Sequence, residues 1–353
     1  MLTKVRYSAI DMFFWTRHET LVFFIWSLLV TLLYKVAGLT FLHIPWAPMA
    51  IIGTAVAFII GFQNNAAYGR IWEARMIWGG IVNTSRTWGM KVKDMVSSQQ
   101  MLDPLPEQLE QNHIHTLVYR HIAWLTALRH TMRQPKKWEV MRTEKTNAEW
   151  QDKSNIPERC ITVAEDIKPY LSNEEQDYVL SKSNRSAAVL FLQSTHIKEL
   201  KNEGLLWEFS FLELENLLEE MFTLQGKSER IKNFPYPRQY ASLSYYFVWI
   251  FIISLPFATI PEFTKIGTSL VDSFPSVAPY FVWVSIPFCS LLSWVFHTME
   301  RIGRVGENPF EGSPNDVPIS TISRGIEIDL REMLGELTEN IPAQFEEFHD
   351  IQM

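Results

Sequence analysis

Long uncharged stretches alternate with densely charged ones along this chain. Charges are nearly absent from Val36 to Gly69, from Gln239 to Pro261 and from Ser273 to Met299, and each stretch exceeds the roughly 20 apolar residues that cross a bilayer core. The run LVFFIWSLLVTLLYKVAGLTFLHIPWAPMAIIGTAVAFIIGF is too long for one helix and is broken near His43, Pro45 and Pro48, so it reads as two spans, 21–42 and 47–67. Lys35 falls near the end of the first, where a lysine can snorkel to the interface. With 239–261 and 278–297 the pattern predicts an all-α membrane protein with four transmembrane helices. The preceding segment SAIDMFFWTR suits a short helix lying at the membrane surface, and its charges argue against a cleaved signal peptide.

Lysine and arginine set the orientation. Lys4, Arg6 and Arg17 precede the first span; Arg70, Arg75, Arg86, Lys91 and Lys93 follow the second; Lys227, Arg230, Lys232 and Arg238 precede the third; Arg301 and Arg304 follow the fourth. By the positive-inside rule both termini, the segment 70–238 and the segment 300–353 are cytoplasmic. The 70–238 segment carries apolar residues at helical spacing, with Leu117, His121, Trp124 and Leu128 on one stripe. Beyond the turn in ENPFEGSPNDVPIS, Ile322, Ile326, Leu330, Met333 and Leu337 mark an amphipathic helix with Ser320 or Thr321 as its N-cap. No repeat or linker divides the chain, so 1–353 reads as one unit.

The second span carries two faces at four-residue spacing. Gly53, Ala57, Gly61 and Asn65 form a small-residue face suited to close helix contact, and Thr54, Phe58 and Phe62 form a neighbouring one. Copies of this helix around an axis would stack rings of threonine and phenylalanine, a hydrophobic constriction whose ring edges carry positive partial charge. Periodicity alone leaves a second reading open, in which the phenylalanines face lipid or the bundle core. Gln63, Asn64 and Asn65 need partners or water at membrane depth.

A net charge of −7 argues against nucleic acid as a partner, and Cys160 and Cys289 make no disulfide framework. Histidines 113 and 115 would point in different directions on a helix, so no metal site is expected from them or from His121. Glu213, Glu215, Glu219 and Glu220 read as a solvated helix face. No nucleophile motif, glycine-rich phosphate loop or zinc signature is present, which leaves an enzyme without support and no cofactor implied.

Three stretches occur together in a telling order. GFQNNAAYGRIWEARMIWGGIVNTSRTW resembles the signature of the bestrophin family in its prokaryotic form, SERIKNFPYPRQY resembles that family's lead into its third span, and GENPFEGSPNDVPISTISRGIEIDL resembles its C-terminal segment. The resemblance covers roughly residues 15 to 338. It implies a homopentameric ion channel in the cell (inner) membrane, with one axial pore, a narrow neck and a cytoplasmic vestibule ending in a second constriction. Aligned on Arg70, the neck positions fall on Thr54, Phe58 and Phe62. Asn64, Asn65, Tyr68, Arg70, Trp72, Glu73 and Arg75 would brace that neck, although by composition alone they read as membrane-boundary anchors. The second constriction would come from the stretch around Ala187 to Leu192, with Val189 and Leu190 as its expected residues.

Ile71 and Gly69 depart from the family pattern, and Thr54 stands where a larger apolar residue is common. Animal relatives clasp calcium with an acidic run after NPF, but here Glu311, Gly312, Ser313, Pro314, Asn315 and Asp316 retain too few carboxylates for a hard cation, so calcium activation is not expected. The expected activity is passive conduction of small ions, with chloride favoured. A monovalent cation channel of the same architecture and a non-conducting membrane scaffold are the alternatives.

Overall fold

The computed structural model describes residues 1–98 and 106–353. Ser8 opens α1 (Ala9–Trp15) with a reciprocal capping box to Asp11, and α2 (Arg17–Lys35) follows almost directly. The first apolar run is helical only as far as Lys35; its remainder turns through Gly38 at φ +72°, a conformation suited to glycine. Lys35 is exposed at that helix end.

The dominant element is α3 (Trp46–Met95), 50 residues long and therefore about 75 Å from end to end. The change from oily to charged residues near Gln63 is a change of surroundings along one uninterrupted helix. Then come α4 (Glu107–Arg133), the short helices α5 (Lys145–Asp152), α6 (Pro157–Cys160), α7 (Val163–Ile167) and α8 (Asn173–Leu180), and the longer α9 (Arg185–Glu203) and α10 (Glu208–Asn233). Pro235 and Pro237 separate α10 from α11 (Arg238–Ser269), and a 3-10 turn leads into α12 (Ser285–Gly306). α13 (Ile319–Met333) is the last long helix.

Two cores follow from this order. In the apolar half, α2, α11 and α12 pack with the first part of α3, burying Phe23, Met49, Val56, Ile60, Val248, Phe251, Leu255 and Cys289 together. Among the described residues four helical stretches are long and apolar enough to cross a membrane: Arg17–Lys35, Trp46–Met95, Glu208–Ser269, whose apolar part is α11, and Ala278–Gly306. In the other half, α4, α10 and α13 pack on the far end of α3, with α9 laid against α4 and α10, and Trp78, Trp88, Leu117, Trp124 and Leu128 are fully buried. Both cores share α3, which joins the two halves as one continuous helix.

The N-cap expected at Ser320 or Thr321 is not formed. α13 begins one residue after Pro318; the Ser320 hydroxyl is given instead to Glu158 (2.7 Å), and Thr321 donates both its backbone N–H (2.6 Å) and its hydroxyl (2.7 Å) to the carbonyl of Met353. Tertiary contacts with the chain's last residues thus replace the local cap. Leu2 pairs with Ile351 beside them, so the two ends of the chain lie together.

Candidate functional site

One side of α3 is left uncovered by the rest of the chain. Thr54, Phe58 and Phe62 lie on it, with Phe58 66% and Phe62 69% exposed and their ring centroids 6.4 Å apart. The Thr54 hydroxyl donates back to the Ala50 carbonyl (2.9 Å), so its donor is satisfied within the helix. The reading in which the phenylalanines fill the core of this subunit is therefore ruled out. The uncovered stripe continues through Asn65, Tyr68, Gly69 and Trp72 to Arg75 and Met76, with Tyr68 and Trp72 stacked at 6.3 Å.

The small-residue face is split. A Cβ at Gly53 would stand 2.8 Å from the Phe251 ring, so this glycine lets α11 approach within the same subunit. Gly61 has nothing within 4 Å, and Ala57 is exposed. Sequence spacing could not separate these, because the residue that claims Gly53 lies almost two hundred positions away.

Below the phenylalanines, polar groups converge on the end of α12. Gln63 is buried and donates from Nε2 to Glu307 Oε1 (3.4 Å). Arg238 Nη2, at the start of α11, donates to Glu307 Oε2 (2.7 Å), and Arg70 Nε donates to the Glu307 carbonyl (2.7 Å). Arg70 Nη2 reaches the Ile231 carbonyl in the last turns of α10 (2.8 Å). Two arginines and one buried glutamate thus join four helices where α3 changes character. Glu307 was missed by sequence reasoning. Its only signal was an acid immediately after an apolar span ending in two arginines.

The remaining expected residues are dispersed around this hub. Both amide atoms of Asn64 are buried without a hydrogen-bond partner, against Gly303 of α12, while Asn65 is exposed. Glu73 forms a surface ion pair with Arg230 of α10. Arg75 lines a cavity of about 320 Å³ together with Met1, Asn64, Tyr68 and Asn315.

Val189 and Leu190 are not where a constriction could use them. Both are 0% exposed and packed in the core formed with α4 and α10, because the apolar run of α9 turns those positions inwards. The same helix exposes Phe191, which meets Phe222 at 5.6 Å, and Thr195 one turn on.

After Asn308-Pro309-Phe310 the oxygens of the acidic residues are largely engaged. Asp316 accepts from the backbone N–H groups of Gly312 (2.6 Å) and Ser313 (2.9 Å), and Glu311 accepts from the Met141 N–H (2.5 Å). Burial, with Glu139 and Asp316 nearby, pushes the Glu311 carboxyl up to about 8. Gly312, at φ +97°, has no room for a side chain, since a Cβ would meet Ile156 at 2.4 Å. The three histidines go separate ways: His113 Nδ1 meets His196 Nε2 (3.1 Å), His115 stacks on Tyr119, and His121 lies between Trp88 and Trp124. Among the described residues no group of three His, Cys, Asp or Glu side chains could hold a metal ion.

The family described as Bacterial/Fungal Bestrophin protein matches residues 16–332. This chain belongs to the bestrophin family. It is similar to the voltage-dependent anion channel-forming protein YneE of Salmonella typhi, 28% identical over 312 residues that cover 88% of this chain and 82% of that protein. YneE of Escherichia coli K12 is 27% identical over 328 residues, 90% of this chain and 88% of its own. Among solved structures, a bacterial bestrophin homologue from Klebsiella pneumoniae superposes with a TM-score of 0.68 at 22% identity, covering 90% of this chain and 98% of that one. The four apolar helices, the second helical half and the long shared helix are thus a bestrophin subunit, and a channel architecture accounts for them where enzyme chemistry does not.

Proposed function

We propose that this bestrophin assembles as a homopentamer around the uncovered face of α3 and conducts small anions passively, chloride among them, in the inner membrane with both termini in the cytoplasm. In that assembly Thr54, Phe58 and Phe62 form the neck. Asn64, Asn65, Tyr68, Arg70, Trp72, Glu73 and Arg75 carry the neck's position to the cytoplasmic helices, with Glu307 as their common anchor. Phe191, in place of Val189 and Leu190, is the apolar side chain of α9 able to narrow the vestibule.

The observation that carries this reading is the length of the uncovered stripe. A face turned to lipid would end where the apolar residues end, whereas this one runs from Phe58 and Phe62 on through Asn65, Tyr68 and Trp72 into the charged half of the helix. A stripe of that kind suits a passage that begins in the membrane and opens below it. The names carried by the YneE relatives support anions as the permeant class, and the positive edges of phenyl rings suit an anion shedding water. Cysteine at position 62 supplies the test. Phe62→Cys channels should lose conductance when a charged methanethiosulfonate is added from the aqueous phase; full conductance after complete labelling would place residue 62 away from the passage.

A further inference from the structure

A cavity of about 450 Å³ opens where the end of α4, the turn through α6 and α7, and the start of α9 meet. Its wall holds His130, Arg133, Arg142, Arg159 and Arg185, and Glu158 is the acid among the described residues that line it. One oxygen of that acid, Oε1, is already committed: Arg129 Nη1 approaches it to 2.5 Å and the Ser320 hydroxyl to 2.7 Å, while Oε2 is buried without a hydrogen bond. His130 is likewise held by Asp166 at 2.7 Å. Arg133 is buried and donates Nη1 to the Phe310 carbonyl (3.1 Å), but its Nε has no hydrogen-bond partner, and its nearest carboxylates stand 3.9 and 4.0 Å away.

Among the described residues no carboxylate pairs with Arg142, Arg159 or Arg185. Burial and then the neighbouring charges of Arg142 and Arg133 push Arg159 down to about 10, outweighing the weaker pull of Asp152 and Glu311. Such a group stands out in a chain whose net charge is −7. Arg142 and Arg159 are exposed and Arg185 is half-buried, so their donors meet water until an anion with acceptor oxygens enters the concave wall, where like charges concentrate a positive potential.

We propose that this cavity binds a phosphate-bearing anion, with its oxygens taken by the guanidinium groups of Arg142, Arg159 and Arg185. Guanidinium forks match phosphate oxygens bidentately, and a group of two negative charges and several acceptors satisfies more of these donors than a halide can. Arg185 is the first residue of α9, so a bound phosphate ties the start of that helix to the α6–α7 turn. The proposal is independent of the pore reading.

Cys160 gives a native reporter, because it lies exposed in the cavity wall while Cys289 is buried among the apolar helices. The full chain in phosphatidylcholine nanodiscs would be labelled with a neutral maleimide across a titration of inorganic pyrophosphate, with potassium chloride holding ionic strength constant. Labelling at Cys160 should slow by about tenfold when pyrophosphate reaches ten times its dissociation constant. The Arg142→Gln/Arg159→Gln/Arg185→Gln variant should lose that protection while keeping its melting temperature, since none of the three is ion-paired. Arg→Lys at the same positions keeps the charge without the fork and should protect only partly. Protection in phosphatidylglycerol nanodiscs without pyrophosphate would identify a lipid headgroup as the source of the phosphate. No protection in either arm, or protection that survives in the triple glutamine variant, overturns the proposal. So does a Cys160 that reacts only after subunits dissociate, which would mean that a neighbouring subunit fills the cavity.

Discussion

Replacing both neck phenylalanines by alanine separates a passage-lining role from a packing role. A fully buried phenylalanine truncated to alanine costs about 3–5 kcal/mol. Phe58 and Phe62 are 66% and 69% exposed, so roughly a third of each ring is covered by its own subunit. Scaling by that fraction gives about 1–1.5 kcal/mol per ring and about 2–3 kcal/mol for Phe58→Ala/Phe62→Ala. The same change removes two stacked rings of bulky apolar groups from the axis, and a hydrophobic constriction depends on narrow radius and poor hydration together. Chloride efflux from liposomes, normalised to assembled pentamer, should therefore rise while thermal melting in detergent shifts only modestly. A collapse of melting temperature and assembly with unchanged or lower flux per pentamer would show that these rings pack against protein or lipid and do not line the passage.

Three further outcomes follow. Glu307→Gln keeps a partner for Gln63 but removes the charge that Arg238 meets, and should cost about 1.5–3 kcal/mol in denaturant titrations, with flux changing as α3 loosens; an unchanged midpoint would remove Glu307 from the hub. Gly53→Ala forces the Phe251 ring aside and should cost about 1–3 kcal/mol, whereas Gly61→Leu should spare the subunit but weaken assembly on native mass measurement; the reverse order would contradict the split glycine face. His121, without a partner on either ring nitrogen, is pushed down to about 3 by burial, so it stays neutral when folded while the unfolded chain takes up a proton below about 6.5. Stability should thus fall as pH drops from 6.5 towards 3, and His121→Leu should flatten that limb in melting curves; an identical slope in the variant would exclude this group as the cause.

What could be read from the residues in advance was whatever depended on neighbours along the chain. The four-residue spacing of Thr54, Phe58 and Phe62 isolates one helix face wherever that helix goes, and the uncovered stripe includes it. Long apolar runs announce themselves by length. Choices between faces were less legible, because distant residues make them. Gly53 looks the same as Gly61 until Phe251 arrives, and Val189 and Leu190 look no different from Phe191 until α4 and α10 cover two of the three. Ser320 and Thr321 satisfied every local rule for an N-cap and were outbid by Glu158 and the carbonyl of Met353. The arginines at 133, 142, 159 and 185 are dispersed over more than fifty positions, so no spacing rule could assemble their cavity.

The central claim, passive anion conduction, is tested most directly by the reversal potential of the purified channel in a planar bilayer under a tenfold gradient of potassium chloride. An anion-selective pore should reverse near the chloride equilibrium potential, about 59 mV from zero with the sign set by chloride. Reversal at the same magnitude with the sign set by potassium, or no current from verified pentamers, would contradict the account.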